Sequence, residues 1–172
     1  MKNVLISIRP KYVELIVSGK KTVEVRRTRP KCELPFKCYI YCTKGKPTFT
    51  QSAFCDDISN GKVIGEFVCD RIYDITPTSP HKYDCGWNVY EEHSRLTFDE
   101  FRNYLREKNG YGWHITDLVV YDEPRELSDF LLYNVRTYID EESGLPMPTH
   151  EIARPFQSWG YVKAKEPRQT AD

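Results

Sequence analysis

Residues 19–27, Gly-Lys-Lys-Thr-Val-Glu-Val-Arg-Arg, constrain this chain's fold more than any other stretch. Glycine at the exit of a helical pattern stops the helix. Thr22, Val23 and Val25 then supply the β-branched filling of a strand. Successive side chains of a strand point to opposite faces. Val23 and Val25 therefore face the core, and Thr22, Glu24 and Arg26 share the other face. Lys21 sits at the turn, where parity is not yet set, and its direction is open. A strand does not need so many charges. They either solvate an edge strand, which blocks edge-to-edge pairing, or line a recess for an anionic or polar ligand.

The stretch before it reads as a strand over Val4–Ile8 and a helix from Pro10, which suits a first helical position. Tyr12, Val13, Leu15, Ile16 and Val17 form that helix's apolar face. Phe36–Cys42 predicts a strand, Thr43–Pro47 a turn, and residues 48–60 a short helix or an ordered loop. Lys62–Ile75 reads as one long strand, followed by a loop over Pro77–Asp84. In that strand Glu66 has the parity of Ile64 and Val68. It either sits among them on an apolar face, where a carboxylate needs a partner or a raised pKa, or lies outward with Phe67 inward. Thr97 and Glu100 form a capping box, with Leu96 and Phe101 as a hydrophobic staple. This helix runs to about Glu107 and stops at Asn109-Gly110. Tyr111–Tyr121 predicts a second long strand, and Glu126–Tyr133 one or two helical turns. Residues 134–151 form a polar excursion, Arg154–Val162 a final strand, and Lys165–Asp172 a frayed tail.

Strand signals dominate and there is no regular β-α alternation, which disfavours a doubly wound sheet. The expected fold is α+β: a small mixed β-barrel with short helices plugging or flanking it. At 172 residues the expected organisation is one domain over 1–164 with the tail at 165–172. No apolar run is long enough to span a bilayer. The N-terminus lacks the pattern of a signal peptide, so the expected location is cytoplasmic.

The 25 basic and 25 acidic residues cancel overall but not locally. Residues 1–46 hold 12 Lys/Arg against 3 Asp/Glu. A local basic face suits phosphate-bearing ligands, unless the fold interleaves the two halves. Six cysteines occur without a CxxC pair. Cys38 and Cys42 lie about 13 Å apart along a strand, too far for one disulfide or one metal. Free thiols are expected, with a zinc site as the weaker alternative; no metal and no cofactor is the reading taken.

Gly19, Lys21, Glu24 and Arg26 fill a Gly-x-Lys-x-x-Glu-x-Arg pattern that resembles the hallmark of the ASCH domain, within the PUA-like superfamily. Ile6–Tyr12 resembles that family's first strand and helix, and Val63–Glu66 its third major strand. Trp113-His114-Ile115 and Arg154–Trp159 are similar to a long subgroup from bacteria and their phages. The resemblance implies a PUA-like pseudo-barrel, a cleft beside the Lys-Glu motif, and binding of RNA or modified nucleosides. It also implies an alternative, since some relatives are hydrolases: an amidohydrolase acting on N4-acetylcytidine, and a ribonuclease. The amidohydrolase lysine falls on Lys21, but its motif threonine falls on Glu24, a departure at a nucleophile position.

Two functions follow. As a binding module, Lys21, Arg26 and Arg27 would meet phosphate or a base edge, with Glu24 among the binding residues, and parity admits at most one of Arg26 and Arg27 to the cleft. Trp159, Trp113 or Tyr41 could stack a base, with Gln157, Ser158 and His114 adding hydrogen bonds; the alternative for the tryptophans is the core. As a hydrolase, Lys21 would be an activated amine or oxyanion donor, with Glu24 or Glu66 as general base and Glu92 as a loop candidate. A protein adaptor using 134–151 is a third option. The partners expected are RNA or a modified nucleoside or nucleotide, and no membrane.

Overall fold

The computed structural model describes residues 2–45, 60–79, 82–84, 89–133 and 151–165. The expectations for 48–59, for most of 134–151 and for the tail beyond Lys165 lie outside them, as do Cys55 and Cys85.

The chain opens with β1 (Asn3–Ile8), α1 (Pro10–Val17), β2 (Val23–Arg26) and β3 (Phe36–Cys42). It continues with β4 (Val63–Cys69), β5 (Ile72–Ser79) and β6 (Lys82–Asp84), then a π-helix over Val89–Ser94. After these come α2 (Phe98–Leu105), β7 (Gly110–His114) and β8 (Thr116–Arg125). A 3-10 turn over Leu127–Asp129 leads to β9 (Phe130–Leu132), and β10 (Trp159–Ala164) closes the fold.

Among the described residues ten strands form two sheets. The larger has the order β8-β4-β3-β1-β10-β9, and the smaller β2-β7-β5-β6. Among the described strands only β1 and β3 run parallel, the geometry that their connection through α1 and β2 allows. The architecture is mixed α+β and dominated by sheet, as expected.

Alternation along β1 explains how the large sheet is buried on both sides. Val4, Ile6 and Ile8 enter the main core with Cys38, Ile40, Phe67 and the indole of Trp113, while Val13 and Ile16 cover it from α1. Leu5 points the other way, into a cluster with Tyr39, Tyr41, Phe130 and Val162. A third cluster joins Val23 and Val25 of β2 to Phe101 and Leu105 of α2. Each such side chain taken out of water contributes about 1.5–3 kcal/mol.

Both long strands expected from the sequence are split. Lys62–Ile75 breaks at the exposed pair Asp70-Arg71, and the chain crosses from the large sheet to the small one. Tyr111–Tyr121 breaks at Ile115, whose N–H donates to the carbonyl of Thr22, and Asp117 takes φ 47° just beyond. A run of β-formers cannot reveal which sheet its two halves join. In place of the loop expected over Pro77–Asp84, Pro77–Ser79 end β5 and Lys82–Asp84 form β6. At the bulge between β4 and β8, Gly65 is required by space: a Cβ there would run into the backbone carbonyl of Val119.

The capping box forms as read. Thr97 Oγ1 accepts from the Glu100 N–H at 3.3 Å, and Glu100 Oε2 accepts from the Thr97 N–H at 3.0 Å. The helix stops at Leu105, short of the expected Glu107, because Arg106 and Glu107 turn left-handed at φ 52° and 58°. Of the one or two helical turns expected over Glu126–Tyr133, a single 3-10 turn forms at Leu127–Asp129, and Phe130–Leu132 is a short strand instead. The last strand starts at Trp159, and the stretch before it is irregular.

Candidate functional site

Gly19, at φ 70°, ends α1, and the Lys21 N–H donates back to the carbonyl of Leu15 at 2.8 Å. This tight exit turns Lys21 inward, settling the direction that parity left open. Lys21 is only 2% exposed. Its ammonium donates to the backbone carbonyl of Ser94 at 2.6 Å and lies 3.2 Å from Glu24 Oε2. The other carboxylate oxygen, Glu24 Oε1, sits 3.0 Å from the Arg26 guanidinium. Arg26 in turn donates to the carbonyl of Ser7 at 2.7 Å and to Ser158 Oγ at 3.4 Å. Glu24 and Arg26 share a face of β2, as the alternation predicts, and Val23 and Val25 pack on the opposite side.

Lys21, Glu24 and Arg26 lie on the wall of one recess of about 840 Å3, together with Ser7, Tyr12, Glu100, Gln157 and Ser158. The charged residues lining it are Arg9, Lys21, Arg26 and Arg27 against Glu24 and Glu100, a cationic balance that favours an anionic ligand. Among the described residues that line the recess, one buried donor is unspent: Arg26 Nε has no hydrogen-bond partner, and Arg26 is only 6% exposed. A buried polar atom left this way calls for a partner. Burial pushes the Lys21 amine below its ordinary pKa, against the opposing pull of Glu24.

The rim is built by α1 and α2. Glu100 Oε1 takes the Lys11 ammonium at 2.8 Å and lies 3.5 Å from Tyr12 OH. The Tyr12 ring stands 5.3 Å from the Lys21 ammonium. Arg27 also lines the recess, contrary to the one-arginine expectation. Its guanidinium leaves the strand face to reach the carbonyl of Tyr104 at 2.7 Å.

Other sequence candidates fall elsewhere. Glu66 faces outward, with Phe67 fully buried inward, and is held by Lys37 at 2.6 Å and Tyr121 OH at 2.6 Å. It is outside the recess, because β4 and β8 carry it to another part of the large sheet. Tyr41 is 3% exposed and packs in the cluster with Leu5 and Phe130, so its ring is not offered to a base. His114 pairs with Asp70 at 2.7 Å, also away from the recess, because Trp113 takes the inward register position beside Glu24. Trp113 is fully buried core. Trp159 is half-buried beside the recess, its indole N–H donating to Thr28 Oγ1 at 3.0 Å. Glu92 is exposed on the π-helix.

Two contributors escaped the sequence reading. Glu100 was seen only as a helix cap, and Ser94 not at all. The Ser94 carbonyl reaches Lys21 through the π-helix, anchored where the Thr22 N–H donates to the carbonyl of His93 at 2.9 Å. No periodic signal marks that segment; the capping carboxylate of Glu100, by contrast, was visible as a charge near the start of α2. Cys32, Cys38, Cys42 and Cys69 are free thiols, and burial pushes that of Cys38 well up. Among the described residues no group of His, Cys, Asp and Glu could hold a metal.

The chain belongs to the ASCH domain family, whose model matches residues 6–141. It is similar to an ASCH domain-containing ribonuclease of Zymomonas mobilis, 39% identical over 62 residues. That match covers 36% of this chain and 42% of the relative, well under the relative's whole length. The crystal structure of ASCH from Zymomonas mobilis shares the fold at a TM-score of 0.60 and 22% identity, covering 94% of this chain and 88% of that one. A single-substitution variant of the same protein gives 0.53 and 24%, covering 74% and 77%.

Proposed function

We propose that the recess binds RNA or a modified nucleoside or nucleotide, with Arg26 and Lys21 meeting phosphate or a base edge. The observation that carries this reading is the buried Lys21–Glu24–Arg26 chain, with its unspent Arg26 Nε–H, on the wall of a cationic recess. Gln157 and Ser158 add neutral hydrogen-bonding groups at the same place. Glu24 holds the two cations in register and keeps their charge from being wholly repulsive. The ribonuclease relative supports RNA as the ligand class. The same reading takes residues 1–164 as one PUA-like pseudo-barrel domain of the long bacterial and phage subgroup, working in the cytoplasm. No described helix is long and apolar enough to cross a membrane.

A second reading, a hydrolase of amide or phosphodiester bonds, is favoured by the lowered pKa of Lys21. The Lys21 ammonium, 3.2 Å from Glu24 Oε2, could stabilise an oxyanion, with Glu24 as general base. Glu24 and Glu100, rather than Glu66, are the carboxylates that line the recess.

Incubation with N4-acetylcytidine, mononucleotides and short RNAs, with Lys21→Ala beside the wild type, separates the two. Saturable binding without product supports the module; product lost in the variant supports the enzyme. Neither binding nor turnover with any of them refutes both.

A further inference from the structure

We propose that the face carrying Trp159, Tyr161 and Tyr133 is a track for single-stranded RNA leading into the recess, so that the ligand is a strand rather than a free nucleoside. This rests on the recess reading and extends it along β10.

Trp159, Tyr161 and Lys163 project from one side of β10, while Val162 is buried on the other. The rings form a series: Trp159 to Tyr161 at 5.5 Å, then Tyr161 to Tyr133 at 6.4 Å between centroids. All three are half-buried. Trp159 and Tyr161 rest against the main core, which holds their planes. Among the described residues, Tyr133 belongs to none of the three core clusters. Cations surround the outer end. The Lys2 ammonium lies 5.4 Å from both tyrosine rings, and that of Lys163 5.7 Å from Tyr133.

The series is continuous with the recess. Trp159 donates to Thr28, and Thr28 lines the recess wall. The same loop runs on to Lys31, whose backbone N–H donates to the Tyr161 hydroxyl at 2.6 Å. Residues 27–35 carry Arg27, Arg29 and Lys31 against the lone carboxylate of Glu33. Rings in series beside cations match unstacked bases and their phosphates. An acidic protein would need the cations but not the rings.

The test is fluorescence anisotropy of the full chain with a labelled single-stranded RNA 12-mer and a dinucleotide. The 12-mer should bind at least ~10-fold tighter, because stacking of added bases adds to the recess contact. The Lys2→Glu/Lys163→Glu double variant should abolish this advantage and flatten the log–log salt dependence by about 1.4, the slope of two single-strand phosphate contacts. Tyr133→Ala should weaken the 12-mer by about 5-fold or more and leave the dinucleotide unchanged. Circular dichroism confirms that the variants fold. Equal affinity for both RNAs with neutral track variants overturns the proposal. So does equal competition by a duplex, whose bases cannot reach the rings, or by polyglutamate. If Arg26→Ala is neutral and the dinucleotide does not bind, while length dependence and track effects persist, the recess reading fails and the track stands.

Discussion

Lys21 gathers the site's energetics into one side chain. A buried ammonium survives only with partners, and it has two: the Ser94 carbonyl and Glu24. Lys21→Ala should cost about 3 kcal/mol in chemical denaturation, the lower end for unpairing a buried ion, because Arg26 remains on Glu24. The pH response has a definite sign. The folded-state pKa of Lys21 lies below the ordinary 10.5. Between that value and 10.5 the unfolded chain holds the extra proton, so stability from this group rises with pH. Wild-type stability relative to Lys21→Met should therefore climb toward pH 10.5. A flat or falling difference contradicts the assignment. The charges of residues 19–27 were legible as an oddity in a strand. That they converge was not, since Lys21 reaches its partners only through the α1 exit.

At the scale of an element, α2 serves the site through its own cap. Glu100 closes the capping box with one oxygen and holds Lys11 at the recess rim with the other. Thr97→Ala should cost about 1 kcal/mol of stability, the usual value for a lost N-cap. It should also weaken ligand binding at the recess, because the carboxylate that restrains Lys11 loses its contact with the Thr97 hydroxyl at 3.3 Å and keeps only the backbone N–H. Titration calorimetry beside thermal unfolding measures both; a stability loss with unchanged affinity would separate the cap from the rim. The cap was legible because its residues are three positions apart and local. The π-helix was not, because its backbone is held by contacts with β2, far away in sequence.

Across the whole molecule, two carboxylates tie distant segments together. Glu66 joins β3 to β8 through Lys37 and Tyr121, and Glu100 joins α2 to α1. Burial pushes the Glu66 pKa up, but the Lys37 and Tyr121 hydrogen bonds outweigh it and the net shift is down. For Glu100, Lys11 is the largest cause of a downward shift. Both contributions are present above the ordinary value of 4.5 and are lost as pH falls through the lower folded pKa. Urea midpoints below pH 4.5 should drop less steeply for Glu66→Gln than for the wild type. Parallel acid limbs would show that Glu66 contributes no such linkage.

What the sequence determined by itself is whatever rests on near neighbours: the β1–α1–β2 opening, the cap of α2, and the facing of Glu24 and Arg26 away from Val23 and Val25. Turn chemistry and strand alternation act over a few residues and are written in order along the chain. Tertiary structure alone decided which sheet each half of the two long β-runs entered. It sent Glu66, Tyr41 and His114 away from the recess and brought Ser94 and Glu100 to it. Those outcomes depend on contacts between residues 29 to 89 positions apart in the chain, from Lys37 with Glu66 to Lys11 with Glu100, and local pattern carries no record of them.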